Sequence, residues 1–537
     1  IIIHLMMLHK NSAMLFSILF SVLVSFKCNS QVPEGGIFEE LNLIDFSYAG
    51  YDFGESELPV TYDLPVFKVE DFGAKANDNI SDQEAIQRAI DQAQQANGGV
   101  ILFEAGEYII NNTKGSNKSG IVITSSNIIL KGAGSGKDGT ILHMKNPLEP
   151  LFPNKLWSTP PMISFQGKGD QSINVSLAES VKLGDRTIIF KGSHGLNKND
   201  KVVIRAEGDF LNDRLLEGKE TREIWSSINE RGGSVYEIHE VADVFDNKVT
   251  FRAPILIDMD KNEPWEFEKI SLIQNCGFEN IRFQGNFDEP FVHHKNAYHD
   301  GGYTALRMDR TYNSWVRDCV FVDVNVAATF NGSLTGTILN CEMQGIGGHS
   351  SFGSIGSTRV LIADCSDQAN QWHGPNTSSN AVATVILRFT GINRGIDAHG
   401  SNPRHTLWDD CEMAGFDGDD VGRASHGASF TNLPNHSVGL VFWNFKQTDR
   451  ARPDFDFWDL MEDNPNEKYG PLTAVNPIIV GFQGEGTSFI NAGIIKSFGE
   501  EVNPTSLYMY QLNKRTTKIP KYLTYSQRQA IINEMPS

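Results

Sequence analysis

Four histidines, His349, His373, His399 and His426, follow one another at intervals of 24, 26 and 27 residues. Their contexts are GGHSS, QWHGP, DAHGS and ASHGA, and glycine follows the last three. Imidazole titrates near neutrality and suits proton transfer, and a neighbouring glycine lets a bulky ligand approach the backbone. Arg388, Arg394, Arg404, Arg423 and Lys446, with His405 and His436, fall in the same stretch. One chemistry that uses such a set is β-elimination on a uronic acid. A base takes the C5 proton, the released pair forms the C4–C5 double bond, and the oxygen at C4 departs with a proton. The C5 proton is weakly acidic until the adjacent carboxylate is neutralised by arginine, a protonated acid or a cation. The sequence offers His373 or His399 as base, Arg388, Arg404 or Arg423 for the carboxylate, and Tyr303 or His426 as proton donor. Trp372, Asn376, Arg404, His405, Arg423, His436 and His349 are expected to bind the sugar; Trp408 and Trp443 are further stacking candidates, although Trp443 within GLVFWNF reads as core. The segment PFVHHKNAYHDGGY (290–303) carries His293, His294, His299 and Tyr303 and is read either as a groove wall or as a plain solvent loop.

Histidines one period apart need an element that repeats. Cys319, Cys341, Cys365 and Cys411 are separated by 22, 24 and 46 residues, and 46 is twice 23. Their contexts, WVRDCVF, TILNCEM, VLIADCS and LWDDCEM, each contain a short strand-like run. The missing rung falls at Arg388 in TVILRFT, with a one-residue ambiguity that decides whether a side chain points in or out. FENIRFQG around Ile281 is an earlier copy. This period predicts stacked coils, an all-β parallel β-helix, with the cysteines as an internal ladder of buried thiols rather than disulfides.

The ends and the irregular stretches fit this plan. Ser81-Asp82-Gln83-Glu84 reads as a capping box before an amphipathic helix with Ala85, Ile86, Ala89, Ile90 and Ala93 on one face, a lid for the open end of the solenoid. GGVILFEAGEYII (98–110) follows as the first coil strands, and a short helix after Pro504 is expected to pack on the last coil. Residues 196–262 break the pattern with alternating strands (KVVIR, SVYEIHEV, KVTFRAPI) and read as a small β insertion. Lys10, the apolar run at 14–26 and small residues Cys28 and Ser30 before Gln31 read as an export signal over 1–30. The expected organisation is then an N-terminal extension at 31–66, the β-helix at 67–500 and a C-terminal cap at 501–537, in a secreted or periplasmic chain with no transmembrane segment. A formal charge of −20 argues against nucleic acid as a partner. An acidic polysaccharide or oligosaccharide remains, provided that the groove is locally basic or holds a cation. A monomer is expected.

Residues 67–110 (FKVEDFGAKANDNISDQEAIQRAIDQAQQANGGVILFEAGEYII) resemble the opening of the pectate-lyase-like superfamily, which includes polygalacturonases, polysaccharide lyases and phage tailspikes. The closing segment VGFQGEGTSF…SFGEEVNPTSLYMYQL looks like the C-termini of secreted bacterial β-helix proteins found with polysaccharide-degrading systems. The resemblance implies a right-handed parallel β-helix and, through it, carbohydrate chemistry; the fold hosts several reactions. The polygalacturonase pattern, an Asp-Asp pair one coil before Gly-His-Gly and then Arg-x-Lys, is not reproduced: Asp419-Asp420 precedes Ser425-His426-Gly427 by a few residues only, and no Arg-x-Lys follows at coil spacing. A carbon–oxygen lyase on uronic-acid glycans, or a dehydratase of a terminal uronic acid, is the leading reading. A hydrolase using two of Asp397, Asp409, Asp417, Asp419 and Asp420 and a non-catalytic glycan-binding β-helix are the alternatives. No cofactor is expected. Asp417-Gly418-Asp419-Asp420 leaves calcium open, and no His-x-x-x-His spacing points to zinc.

Overall fold

The computed structural model describes residues 41–60, 62–112, 120–391, 396–416, 429–448, 451–458 and 472–524. The chain divides into two units, Ile1–Leu43 and Ile44–Ser537. Of the first, residues 41–43 are described. The second is a right-handed parallel β-helix. Among the described residues its coils contribute to three parallel sheets: sheet A of twelve strands from Val66–Lys68 to Ile494–Lys496, sheet B of nine from Gly106–Ile110 to Lys446–Gln447, and sheet C of seven from Ile121–Ile123 to Asp397–Ala398. The strands are short and rich in β-branched residues, as in Thr337–Leu339 and Val385–Leu387. One apolar core runs from the helix Gln83–Gln95 through the coils to Phe482.

The bends between sheets explain the sequence repeat. Between sheets A and B, Asn280, Asp318, Asn340, Asp364, Arg388, Asp410 and Asn444 all take φ between 48° and 56°. Asn and Asp tolerate this left-handed conformation, so the residue before each cysteine is usually one of them. Arg388 holds that bend on its rung. It points outward, with Nε and Nη2 donating to Asp364 at 2.7 and 2.8 Å. The inward position next to it belongs to Phe389. The register Val320–Glu342–Ser366–Thr390–Glu412 stacks Cys319, Cys341, Cys365, Phe389 and Cys411 directly. The one-residue ambiguity at this rung therefore resolves to Phe389 inside and Arg388 outside.

All five described cysteines are buried free thiols. Burial pushes the pKa of Cys276, Cys341, Cys365 and Cys411 up, which suppresses the reactive thiolate. We expect Ellman's reagent to leave these five thiols unmodified in the native protein and to titrate all of them in denaturant. Fast native labelling of the ladder would contradict the register.

Helix Gln83–Gln95 buries Ala85, Ile86, Ala89, Ile90 and Ala93 as expected. Its capping box does not form. The N-cap is Asp82, which makes no side-chain cap hydrogen bond; its carboxylate instead accepts from the amides of Lys75 and Ile109, both at 2.8 Å, tying the lid to the first coil. The helix Leu507–Arg515 also departs from its expected place. It lies along the outer face of sheet A: Asp409 accepts from Ser506 Oγ and the amides of Leu507 and Tyr508. The N-terminal segment runs beside it, with Tyr508 Oη donating to the Ala49 carbonyl at 2.9 Å and Arg515 Nε to Ser47 Oγ at 2.7 Å. The β insertion is wider than 196–262. Its six-stranded sheet also takes in Asp170–Ile173, Thr187–Ile189 and Glu266–Ile270. The strand Asp170–Ile173 is polar and largely exposed, so no apolar alternation announces it.

Candidate active site on the outer face of sheet C

The outward column of sheet C runs Ser164, Arg307, Thr329, Gly353, Asn376, Asp397, one residue per rung. The turns that bring the chain from sheet B into sheet C present the histidines beside its end. His349 N donates to the Asn325 carbonyl and His373 N to the His349 carbonyl, both at 2.8 Å, so these two are neighbours on the ladder. The loop before His373 is rigid by construction. Asp367 accepts from the amides of Ala369, Asn370 and Gln371, and Gln371 in turn bridges Gly348 N and the Val324 carbonyl. Asn376 Nδ2 donates to Ser350 Oγ at 2.8 Å. His399 follows the strand Asp397–Ala398, its amide bonded to the Thr377 carbonyl.

The same B-to-C turn is much longer two rungs before that of His349. There residues 285–303 fold over the histidines, with Phe287, Phe291 and Tyr298 packed around the buried His299 at ring distances of 5.3, 6.0 and 5.6 Å. Phe291 stacks on His349 (5.7 Å, 21°) and His293 on Trp372 (4.9 Å, 15°). His294, at φ 56°, bonds Asp300 through its amide and its Nδ1, the latter at 2.7 Å. His349 Nδ1 faces the Asp300 carbonyl at 2.8 Å.

Four imidazoles therefore converge. His349 and His373 lie 5.2 Å apart, His373 and His399 4.9 Å, and His293 5.3 Å from both His349 and His373. The Asp397 carboxylate stands between two of them, its Oδ2 3.5 Å from His373 Nδ1 and 3.6 Å from His399 Nδ1. Asp397 and His373 are buried at 1% and 3% exposure, whereas the His399 side chain is 39% exposed, so His399 is the imidazole of the pair that a bulky ligand reaches. Burial and the neighbouring His349 and His294 push His293 down to about 3, which keeps it neutral. Burial alone would raise the Asp300 carboxyl, but the His294 hydrogen bond and the flanking imidazoles outweigh it and hold the group below its ordinary value.

Of the residues read from the sequence, His349, Trp372, His373, Asn376 and His399 meet here. Tyr303 does not: it is buried in the solenoid core against Tyr298, and burial raises its hydroxyl, so it is withdrawn as proton donor. Arg388 sits at the A–B bend. Arg404, His405 and His436 lie at the C–A corner and are buried. There Arg404 pairs with Glu237 of the β insertion, His405 occupies a left-handed bend at φ 52°, and His436 Nε2 meets Thr406 Oγ1 at 2.9 Å. Sequence proximity misled because each coil visits all three corners within about two dozen residues. Trp408 and Trp443 are core residues. Arg394, Arg423, His426, Asp417, Asp419 and Asp420 lie outside the described residues. Asp300 and the bridging role of Asp397 were missed. The available signal was the DAH triplet, since alternation along a strand puts Asp397 and His399 on one face.

The class these features define is the pectate-lyase-like right-handed parallel β-helix. The family model for rhamnogalacturonase A/epimerase, pectate lyase-like, matches residues 66–148. A domain of unknown function, DUF4955, matches residues 370–525, the stretch that carries His373, Asp397 and His399. Alginate lyase 7 of Azotobacter vinelandii is 39% identical over 71 residues, 13% of this chain and 8% of that protein. Mannuronan C5-epimerase AlgE3 of the same organism is 38% identical over 78 residues, 14% of this chain and 4% of that protein. The chain thus matches less than a tenth of the length of either relative. Among solved structures, the tailspike protein gp49 of Pseudomonas phage LKA1 aligns with a TM-score of 0.41 at 14% identity, over 77% of this chain and 64% of that one.

Proposed function

We propose that the chain is an exported carbohydrate-active enzyme that performs β-elimination on uronic-acid-containing poly- or oligosaccharides. The observation that carries this reading is the His373–Asp397–His399 group on the outward face of sheet C. His399 is the base: it is reachable from solvent, and Asp397 beside its Nδ1 favours the tautomer whose Nε2 accepts the C5 proton. His373, almost wholly buried on the other side of Asp397, fixes that carboxylate. Trp372, Asn376 and Arg307 extend the face along which a sugar chain would lie; Arg307 stands four rungs from Asp397, roughly 19 Å at ~4.8 Å per rung. The short matches to proteins named for alginate lyase and mannuronan C5-epimerase activity support a uronate substrate.

The test is a panel of alginate, pectate, glucuronan, ulvan and chondroitin-type polymers followed by ultraviolet absorbance. Growth of the unsaturated-uronate signal on at least one of them is the expected result. New reducing ends without that signal would replace elimination by hydrolysis. Saturable binding with neither product would leave a glycan-binding β-helix. Unsaturation without chain shortening would identify a dehydratase.

A further inference from the structure

The charge that must neutralise the substrate carboxylate was expected from Arg388, Arg404 or Arg423; Arg388 is bound to Asp364 at one corner of the solenoid, Arg404 to Glu237 at another, and Arg423 lies outside the described residues. The histidine cluster suggests a different source. We propose that His293, His349 and His373 hold one divalent transition-metal ion of the zinc type, with a coordination position open to a carboxylate oxygen of the substrate.

One nitrogen from each of these three side chains lies within 4.8 Å of the others. Tetrahedral ligation with Zn–N bonds of ~2.0–2.1 Å needs donor separations of roughly 3.3 Å. His349 and His373 are fixed on adjacent rungs by the 2.8 Å bond between their backbones, while His293 comes from the long 285–303 turn, so the adjustment falls on that turn. The outer partners are those that metal-bound histidines carry. His349 Nδ1 faces the Asp300 carbonyl at 2.8 Å, and His373 Nδ1 faces the Asp397 carboxylate at 3.5 Å. In a neutral imidazole, a proton held on Nδ1 leaves the lone pair on Nε2, which makes Nε2 the ligand atom of His349. An all-imidazole set suits zinc, copper, iron or nickel and is wrong for calcium, which takes oxygen. Three protein ligands with a fourth position open is the pattern of catalytic rather than structural zinc. The spacing rule that found no zinc motif describes ligands on one helix or strand. Here they come from three different turns. His399, on the far side of Asp397, stays outside the set and keeps its role as base.

The role of the ion rests on the elimination reading above; its binding is measured separately. Tag-free full-length protein, stripped with a chelator and checked by circular dichroism, is titrated with Zn²⁺ against a chromophoric competitor. One tight equivalent is expected. H293A and H349A, each folded by circular dichroism, should weaken it by more than the roughly 10–100-fold that loss of an outer partner costs, and D397N by about that amount. H194A, in the β insertion, serves as the control and binds as the parent does. Co²⁺ in place of Zn²⁺ should give visible absorption that H293A abolishes. No saturable site, or H293A and H349A binding Zn²⁺ as tightly as the parent, overturns the proposal and leaves the rings as aromatic packing. Loss of binding in H399A with retention in H293A overturns it equally, by moving the ion to the His373–Asp397–His399 trio that also brings three donors together. Tight zinc binding by a chain that attacks none of the polysaccharides retires the functional reading and upholds the metal site.

Discussion

His399→Ala is expected to lower kcat/KM for the responsive glycan by about 10²–10⁴-fold, the range that a positioned general base contributes. The loss should fall on kcat if, as proposed, Trp372 and Asn376 hold the sugar, and far-ultraviolet circular dichroism should not change, because His399 is part-exposed at the end of its strand. Asp397→Asn should reduce kcat in the same direction. The carboxylate between the two imidazoles both orients them and stabilises the charged form that follows proton transfer. Steady-state kinetics on the polymer with the strongest ultraviolet signal would check both. An H399A protein within about threefold of the parent in kcat would remove the imidazole from the chemistry, since that is far below the contribution of a general base.

The largest stability effect is expected at the opposite corner. Glu237 and Arg404 are completely buried and bonded to each other, Glu237 on the long strand Gly233–Phe245 of the insertion and Arg404 at the C–A bend of the solenoid. Glu237 also meets His239 Nε2 at 3.0 Å and accepts from Leu256 N at 3.1 Å. Burial alone would raise its pKa, but the Arg404 guanidinium and His239 outweigh that and hold it at about 2. Arg404→Met strands a charge in a dry corner and should cost about 3–5 kcal/mol in urea unfolding. The double replacement Glu237→Met/Arg404→Met should recover much of the loss, since well-packed apolar pairs of similar volume are often neutral or better. A depressed carboxylate pKa binds fewer protons in the folded state. The stabilisation it brings is therefore complete above the unfolded value of 4.5 and is lost as pH falls from there through about 2. Acid titration of the parent and of the double variant, followed by tryptophan fluorescence, should show the extra acid-sensitive step in the parent only.

The architecture was largely readable because a solenoid repeats its physics at each rung. Cys319, Cys341, Cys365 and Cys411 mark one inward position, and the Asn or Asp before them marks one bend. The exception, Arg388, shows the limit of period counting. On a strand a shift of one residue exchanges inside for outside, and only the hydrogen-bonded register puts Phe389 in the core. The active-site reading was half legible for the same reason. His349 and His373 occupy equal offsets from their cysteines and stack, but His405 and His436 sit at another corner under the insertion. Nothing in one sequence says that residues 233–245 pack across that corner. The long turn at 285–303 was the other gap: its histidines were visible, while their meeting with His349 and Trp372 depends on a chain reversal with no periodic signature.

Residues 44–60 and 502–524 lie on sheet A, with Arg515 reaching Ser47 and Glu55 across more than 450 positions of sequence. A bare solenoid melts like a zipper, each coil answering only to its neighbours. Cross-ties between the first and last thirds of this chain deny the outer coils independent fraying, so the stack should come apart as one body.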